Sequence, residues 1–323
     1  MIELICEWGV PRSLAQALEQ VNATHEIGAQ FSKWQMFDPK RLASKDAMRY
    51  WARELGGDDK QLATFRRAKG LDEREWARVW RECDKLGVEP LVTPFDLEAV
   101  DRLEELGVSA YKIASGDITY KPLIEKVAAT GKRVFLSTGA SELLEVSRAV
   151  GWLDGCKVTA LACDLVYPCP ASDADLSRIP ALPPADFYGY SDHTREVVTG
   201  AVAVSLGATV LEKHTTLSPE GDSPDDKMAL TVDKAKTYRK LAEQAYSLCQ
   251  PVIGDPEILA RIGARRSAYA TRALSAGQTV RASDIVWLRP CPEGGIEPHE
   301  DIVGERLGSP VGMGERIDRG DFV

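Results

Sequence analysis

The chain has no run of about 18 apolar residues, so no segment is expected to span a membrane. It opens MIELICEWGV, without the charged leader and longer apolar stretch of a secretory signal, and is expected in the cytoplasm. Cysteine is present but unpaired by pattern: Cys6, Cys83, Cys156, Cys163, Cys169, Cys249 and Cys291 are odd in number and include no CxxC, which argues for reduced thiols over a disulfide or zinc framework. Positive charge is in deficit, with a formal net charge of −9, so nucleic acid is not expected as the main partner. A phosphorylated substrate stays compatible, because a few local lysines can hold a phosphate inside an acidic protein. Histidine is scarce, four residues in 323. No GxGxxG follows the first strand-like run, which counts against a doubly wound dinucleotide-binding sheet.

A repeating cadence fills the first 250 residues. Helical stretches end at Gly28, Gly87, Gly107, Gly131, Gly155 and Gly207, and a short apolar run follows each, as expected where a glycine takes positive φ after a helix. The strand-like runs read IELICEW, AQFSKWQ, EPLVTPF, AYKIAS, RVFLST, KVTALAC, FYGYS and TVLEKH, eight in all. Eight strands alternating with helices predict a (β/α)8 TIM barrel over residues 1–250. Ser141 is expected to cap the helix that follows the fifth strand, Arg195 to Leu206 to form a helix packed on the barrel, and Thr231 to start a helix running to about Leu248. The long stretch from Leu42 to Leu86 is expected to hold an inserted loop or extra helix around Gly56 and Gly57. Residues 251–264 read as a linker, and residues 265–323, with short strands and tight turns, as a small, mainly β module.

Barrel enzymes place their chemistry at the C-terminal ends of the strands. Those ends are polar here: Glu7, Lys33, Gln35, Thr93, Lys112, Ser115, Asp117, Ser137, Thr138, Tyr167, Ser191, Asp192, His193, Glu212 and His214. Two of the four histidines, His193 and His214, end consecutive strands, where both imidazoles can reach one divalent metal and leave it open to substrate. The alternative is a pair of structural histidines bonded to backbone. Lys33 and Lys112 would be expensive to bury alone. A phosphate between them, with Ser115, Ser137 and Ser191 donating, would satisfy both; pairing with Glu7 or Asp117 is the other solution. Glu7, Asp117 and Asp225 are the acid/base candidates.

Several blocks together resemble the sialic acid synthase family, which includes N-acetylneuraminate, legionaminic and pseudaminic acid synthases. YKIASGDITYKPLIEKVAATGKRVFLSTGASELLEV resembles its fourth-to-fifth-strand block, YGYSDHT and ATVLEKHTTL its two metal-histidine blocks, SPDDKMAL its loop after the eighth strand, and the tail from about Arg265 its antifreeze-like (SAF) domain. The resemblance implies condensation of phosphoenolpyruvate with an aldose, often an N-acetylamino sugar, with release of phosphate. It implies Mn²⁺, with Mg²⁺ or Co²⁺ as alternatives, on His193 and His214. Phosphoenolpyruvate would be held by Lys33, Thr93, Lys112, Ser115, Ser137 and Ser191, and proton handling would fall to Glu7, Asp117 and Asp225. Tyr167 would line the sugar site, and Arg289 would enter the partner subunit's site in a domain-swapped homodimer. Three departures bear on the sugar: VPRSL stands where the family has an Asn-His-Asn-Gly loop, Asp117 where it usually has Glu, and Leu165 where a small polar residue is common. Two other readings remain open at this point. One is a 3-deoxy-ulosonate phosphate synthase, with Arg12 contributing to a second phosphate site. The other is an inactive barrel used for binding, suggested by the altered first loop.

Overall fold

The computed structural model describes residues 2–68, 70–221, 223–250 and 254–323. It divides into two compact units, Met1–Gln250 and Pro251–Val323.

In the first unit eight strands close a barrel: β1 (Glu3–Glu7), β2 (Phe31–Met36), β3 (Glu89–Pro94), β4 (Ala110–Ile113), β5 (Arg133–Ser137), β6 (Val158–Cys163), β7 (Phe187–Asp192) and β8 (Val210–Thr216). Each pairs in parallel with its sequence neighbours, and β1 pairs with β8. A two-residue strand, β9 (Leu230–Thr231), adds to β8 on the outside of the count. The helices between them are α1 (Leu14–Ile27), α2 (Pro39–Leu42), α3 (Gln61–Phe65), α4 (Glu73–Leu86), α5 (Leu97–Leu106), α6 (Lys121–Ala128), α7 (Leu143–Trp152), α8 (Thr199–Ser205) and α9 (Val232–Leu248). No described helix is long and apolar enough to cross a membrane.

Side chains on a strand alternate between faces. This period of two builds the site. Ile5, Phe31, Leu91, Ala110, Phe135, Leu161 and Val210, one from each strand but β7, form a buried apolar layer inside the barrel. Gly189 is the β7 member: a Cβ there would lie 2.3 Å from the Val210 carbonyl oxygen and 2.5 Å from Leu161 Cδ2. Two residues further along each strand come Glu7, Lys33, Thr93, Lys112, Ser137, Cys163, Ser191 and Glu212, all buried. The apolar layer is thus a floor, and a polar layer lies on it toward the C-terminal rim. The outward-facing residues, among them Leu4, Cys6, Trp34, Val92, Tyr111 and Leu211, pack under the helices.

Some local expectations need correction. Ser141 does not cap α7; its hydroxyl bonds to the Gly139 carbonyl, and Glu142 with Glu145 forms the cap instead. The helix expected from Arg195 starts only at Thr199, because Thr194 and Glu196 are drawn into side-chain bonded turns after β7. The Leu42–Leu86 stretch holds α3, a 3-10 turn Arg53–Leu55 and α4, with Gly56 and Gly57 both at φ 82°.

In the second unit, a helix α10 (Asp255–Ala264) occupies most of the stretch expected as linker; Pro251, Val252 and Ile253 lie outside the described residues. Beyond it, β10 (Ser267–Ala270) and β11 (Ile285–Leu288) pair antiparallel over a core of Ala268, Ala270, Leu274, Val280, Ile296, Ile302, Leu307, Val311 and Ile317.

Candidate active site at the barrel rim

The polar layer is an alternating charge network. Lys33 forms an ion pair with Glu7, and its Nζ lies 3.4 Å from Glu212; Lys112 Nζ lies 3.5 Å from the other Glu212 oxygen. Glu212 is therefore shared by two lysines. Burial pushes its carboxyl up, but Lys112 and Lys33, with Ser191 and His214, outweigh that and hold it at about 2. Lys112 also donates to Ser137 Oγ at 2.6 Å and to the Ile113 carbonyl at 3.0 Å. Of the pairings expected for the lysines, Lys33 with Glu7 is present. Lys112 takes Glu212, not Asp117, as its carboxylate. Glu212, one of the polar strand ends, is the counter-charge the two lysines share, a role the sequence pattern does not assign to it.

Glu7 pairs in register with Lys33 on β2 and with His214 on β8. Its Oε1 accepts from Gln35 Nε2 and from the Gly9 amide, both at 2.9 Å. Glu7, His214 and Asp225 each place one oxygen or nitrogen within 4.8 Å of the others. Burial and the neighbouring Glu7 carboxylate raise Asp225 to about 7. A close approach makes this possible: a Cβ at Gly9, which has φ 71°, would lie 2.9 Å from Asp225 Oδ2.

The histidine rings are buried, with centroids 5.5 Å apart. Burial, and then the neighbouring His193 and Lys33, lower His214 far below the usual imidazole range, so its ring is neutral. Its Nδ1 is buried with no hydrogen-bond partner among the described residues. His193 Nδ1 lies 2.8 Å from the Asp164 carbonyl oxygen, an arrangement that needs N–H at Nδ1 and so, in the neutral ring, puts the lone pair on Nε2. Tyr167 stacks against His193 at 4.1 Å between centroids. The donor set fits a divalent first-row cation: an orphaned neutral imidazole, a second imidazole with its tautomer fixed, and two carboxylates facing each other.

Of the remaining expected residues, Thr93, Ser115, Ser191 and Asp117 also reach this rim. Thr93, Ser115 and Ser191 are buried at the ends of β3, β4 and β7, and Ser115 Oγ accepts from the Gly139 amide at 2.9 Å. Asp117 lies in the 3-10 turn Ser115–Asp117; burial raises it to about 6 against the pull of Lys112, and its Oδ2 has no hydrogen-bond partner among the described residues. Arg289 belongs to the second unit and is exposed. Tyr50 was not foreseen. Its ring lies 5.9 Å from that of Tyr167. It comes from the irregular insert between β2 and α4, which carries no periodicity to flag it.

Residues 20–251 match the NeuB family. The chain belongs to that family. It is 32% identical over 322 residues to the N,N'-diacetyllegionaminic acid synthase of Campylobacter jejuni, with 94% of each chain covered. It is 28% identical over 308 residues to the pseudaminic acid synthase of Helicobacter pylori, covering 91% of this chain and 89% of that one. The crystal structure of a spore coat polysaccharide biosynthesis protein E from Chromobacterium violaceum has the same fold, with a TM-score of 0.84 at 23% identity over the whole of both chains. Family membership makes this NeuB chain a phosphoenolpyruvate-dependent, carbon–carbon bond-forming synthase acting on a sugar.

Proposed function

We propose that the chain condenses phosphoenolpyruvate with an N-acetylamino aldose to give a sialic-acid-like nonulosonate, with a divalent metal, Mn²⁺ by preference, on His193 and His214. The observation that carries the reading is the layering of the barrel mouth. Two buried lysines share Glu212 on the apolar floor, Glu7 lies in the same layer, and His214 and Asp225 group with Glu7 at the rim, with the His193 ring 5.5 Å from that of His214.

Lys33 and Lys112 supply the positive charge for the phosphate and carboxylate of phosphoenolpyruvate, and Thr93, Ser115, Ser137 and Ser191 supply hydroxyl donors beside them. A bound metal would polarise the sugar aldehyde. The enol carbon bonds to the aldehyde carbon while the aldehyde oxygen takes a proton. Asp225, whose carboxyl burial and the neighbouring Glu7 hold above its usual range, is placed to give that proton. Water then adds to the carbon bearing the phosphate ester, its proton passing to Glu7 or Asp117, and inorganic phosphate leaves. Tyr167 forms one wall of the sugar site. The second unit acts as an antifreeze-like module whose Arg289 completes the sugar site of the partner in a domain-swapped homodimer. Leu165 and Asp117 shift the sugar preference, since buried polar contacts to a substrate hydroxyl or amide govern selectivity by large factors.

The test is a panel of N-acetyl-hexoses, diacetamido-hexoses and their phosphorylated forms with phosphoenolpyruvate and Mn²⁺, read by phosphate release and product mass. A free acetamido sugar is expected to turn over. Turnover confined to phosphorylated aldoses would replace this reading with an ulosonate phosphate synthase, and phosphoenolpyruvate binding without any turnover would replace it with a binding role.

A further inference from the structure

His193 and His214 are each preceded by a charged residue, in SDH on β7 and EKH on β8. Alternation turns these two, Asp192 and Lys213, out of the barrel and under the helices. They are register partners across the β7–β8 ladder. Their side chains are 0% and 2% exposed and form an ion pair at 2.9 Å. Lys213 reaches further. Its Nζ donates to the Thr194 carbonyl at 2.7 Å and to the Thr194 hydroxyl at 3.2 Å. The ammonium of the residue before His214 thus grips both residues that flank His193. Asp192 is held in turn by the Thr194 amide at 2.9 Å and by the Thr199 hydroxyl from α8. Tyr238 of α9 covers the ammonium, its ring centroid 5.3 Å away. That cover needs Gly200, where a Cβ would sit 2.5 Å from the Tyr238 ring.

A buried ion pair is weak evidence for stability, because desolvation consumes most of the Coulombic gain and an apolar pair of like volume often serves as well. What this pair does that an apolar pair could not is fix two strand ends to each other by directional bonds at the residues adjoining the two imidazoles. We propose that Asp192 and Lys213 are positioning residues that set the distance and orientation of His193 and His214 for one divalent ion. The inference rests on the reading that these histidines hold the metal. Outer partners that orient metal-binding histidines typically contribute 10- to 100-fold in affinity.

The test is Mn²⁺ titration of chelator-stripped full-length protein, followed by electron paramagnetic resonance of the free ion. Neutralising both charges together, Asp192→Asn with Lys213→Met, avoids leaving one charge buried alone. The paired variant is expected to keep its melting cooperativity and its affinity for phosphoenolpyruvate measured without metal, and to bind Mn²⁺ about 10- to 100-fold more weakly. Wild-type Mn²⁺ affinity in that variant overturns the clamp while leaving the metal reading intact. If the pair does not fold, Lys213→Arg carries the test, because it keeps the charge but changes the reach to Thr194; unaltered Mn²⁺ affinity there likewise overturns the clamp. His214→Ala is the control on the premise: undiminished Mn²⁺ binding in it overturns both.

Discussion

Asp117 and Asp225 are carboxyls that the fold holds above their usual range, to about 6 and about 7, chiefly by burial. The folded state therefore binds their protons more tightly than the unfolded chain does. Stability drawn from such a group is complete below its unfolded pKa and is lost as pH rises through its folded pKa. Glu212 behaves oppositely: held at about 2, its contribution is complete above the ordinary carboxylate range and is lost only in acid. For Asp117 the window runs from 3.8 to about 6. Asp117→Asn in metal-free protein is thus expected to gain stability relative to wild type as pH rises across that window, and to hold a constant difference above it. Urea unfolding at a series of pH values reads the difference; parallel curves for the two proteins would show that Asp117 is not desolvated as described. Asp117→Asn is also expected to impair turnover, which separates this residue from a merely buried carboxyl.

Strand β7 carries the tightest constraint among the elements that build the site. Ser191, Asp192 and His193 follow Gly189, and a Cβ at Gly189 would come within 2.3 Å of the Val210 carbonyl oxygen, a backbone atom that cannot swing aside. Gly189→Ala should part β7 from β8 below both histidines. It is expected to destabilise the barrel by about 3 kcal/mol or more, at or beyond the top of the usual overpacking range. Thermal or urea unfolding checks this, and a loss below about 1 kcal/mol would mean that the ladder relaxes freely there. The strands were legible because helix-stop glycines and period-two apolar runs are local signals, and all eight expected strand segments match barrel strands. Residues at strand ends, such as Lys33, Lys112, His193 and His214, were legible for the same reason. Partner choice was not. Whether Lys112 meets Asp117 or Glu212 depends on the barrel's register, which no local pattern encodes. Tyr50 and the true start of α8 were hidden because irregular segments take their conformation from tertiary contacts. The cap of α7 was misplaced because Glu142, unlike Ser141, finds its partner three residues on.

At the scale of the whole molecule, the first unit carries every barrel-rim group, while Arg289 lies in the second. If Arg289 completes the sugar site of a partner subunit, as proposed, two damaged proteins should repair each other. In Arg289→Ala the barrel is sound but the arginine is missing; in His214→Ala the arginine is sound but the metal site is broken. Each alone should be impaired, the first mainly through a raised sugar KM and the second through loss of turnover. A mixed dimer of the two places an intact Arg289 over the intact barrel of the Arg289→Ala subunit. With free exchange of equal amounts, half the dimers are mixed and one site in each is whole, so roughly a quarter of all sites should recover wild-type sugar KM. An arginine acting within its own subunit predicts no such recovery, since no subunit in the mixture has both residues. Steady-state kinetics of the separate and mixed proteins distinguishes the two arrangements, and sedimentation confirms that the mixed species is a dimer. An Arg289→Ala protein with unaltered sugar KM would remove the arginine from the site altogether.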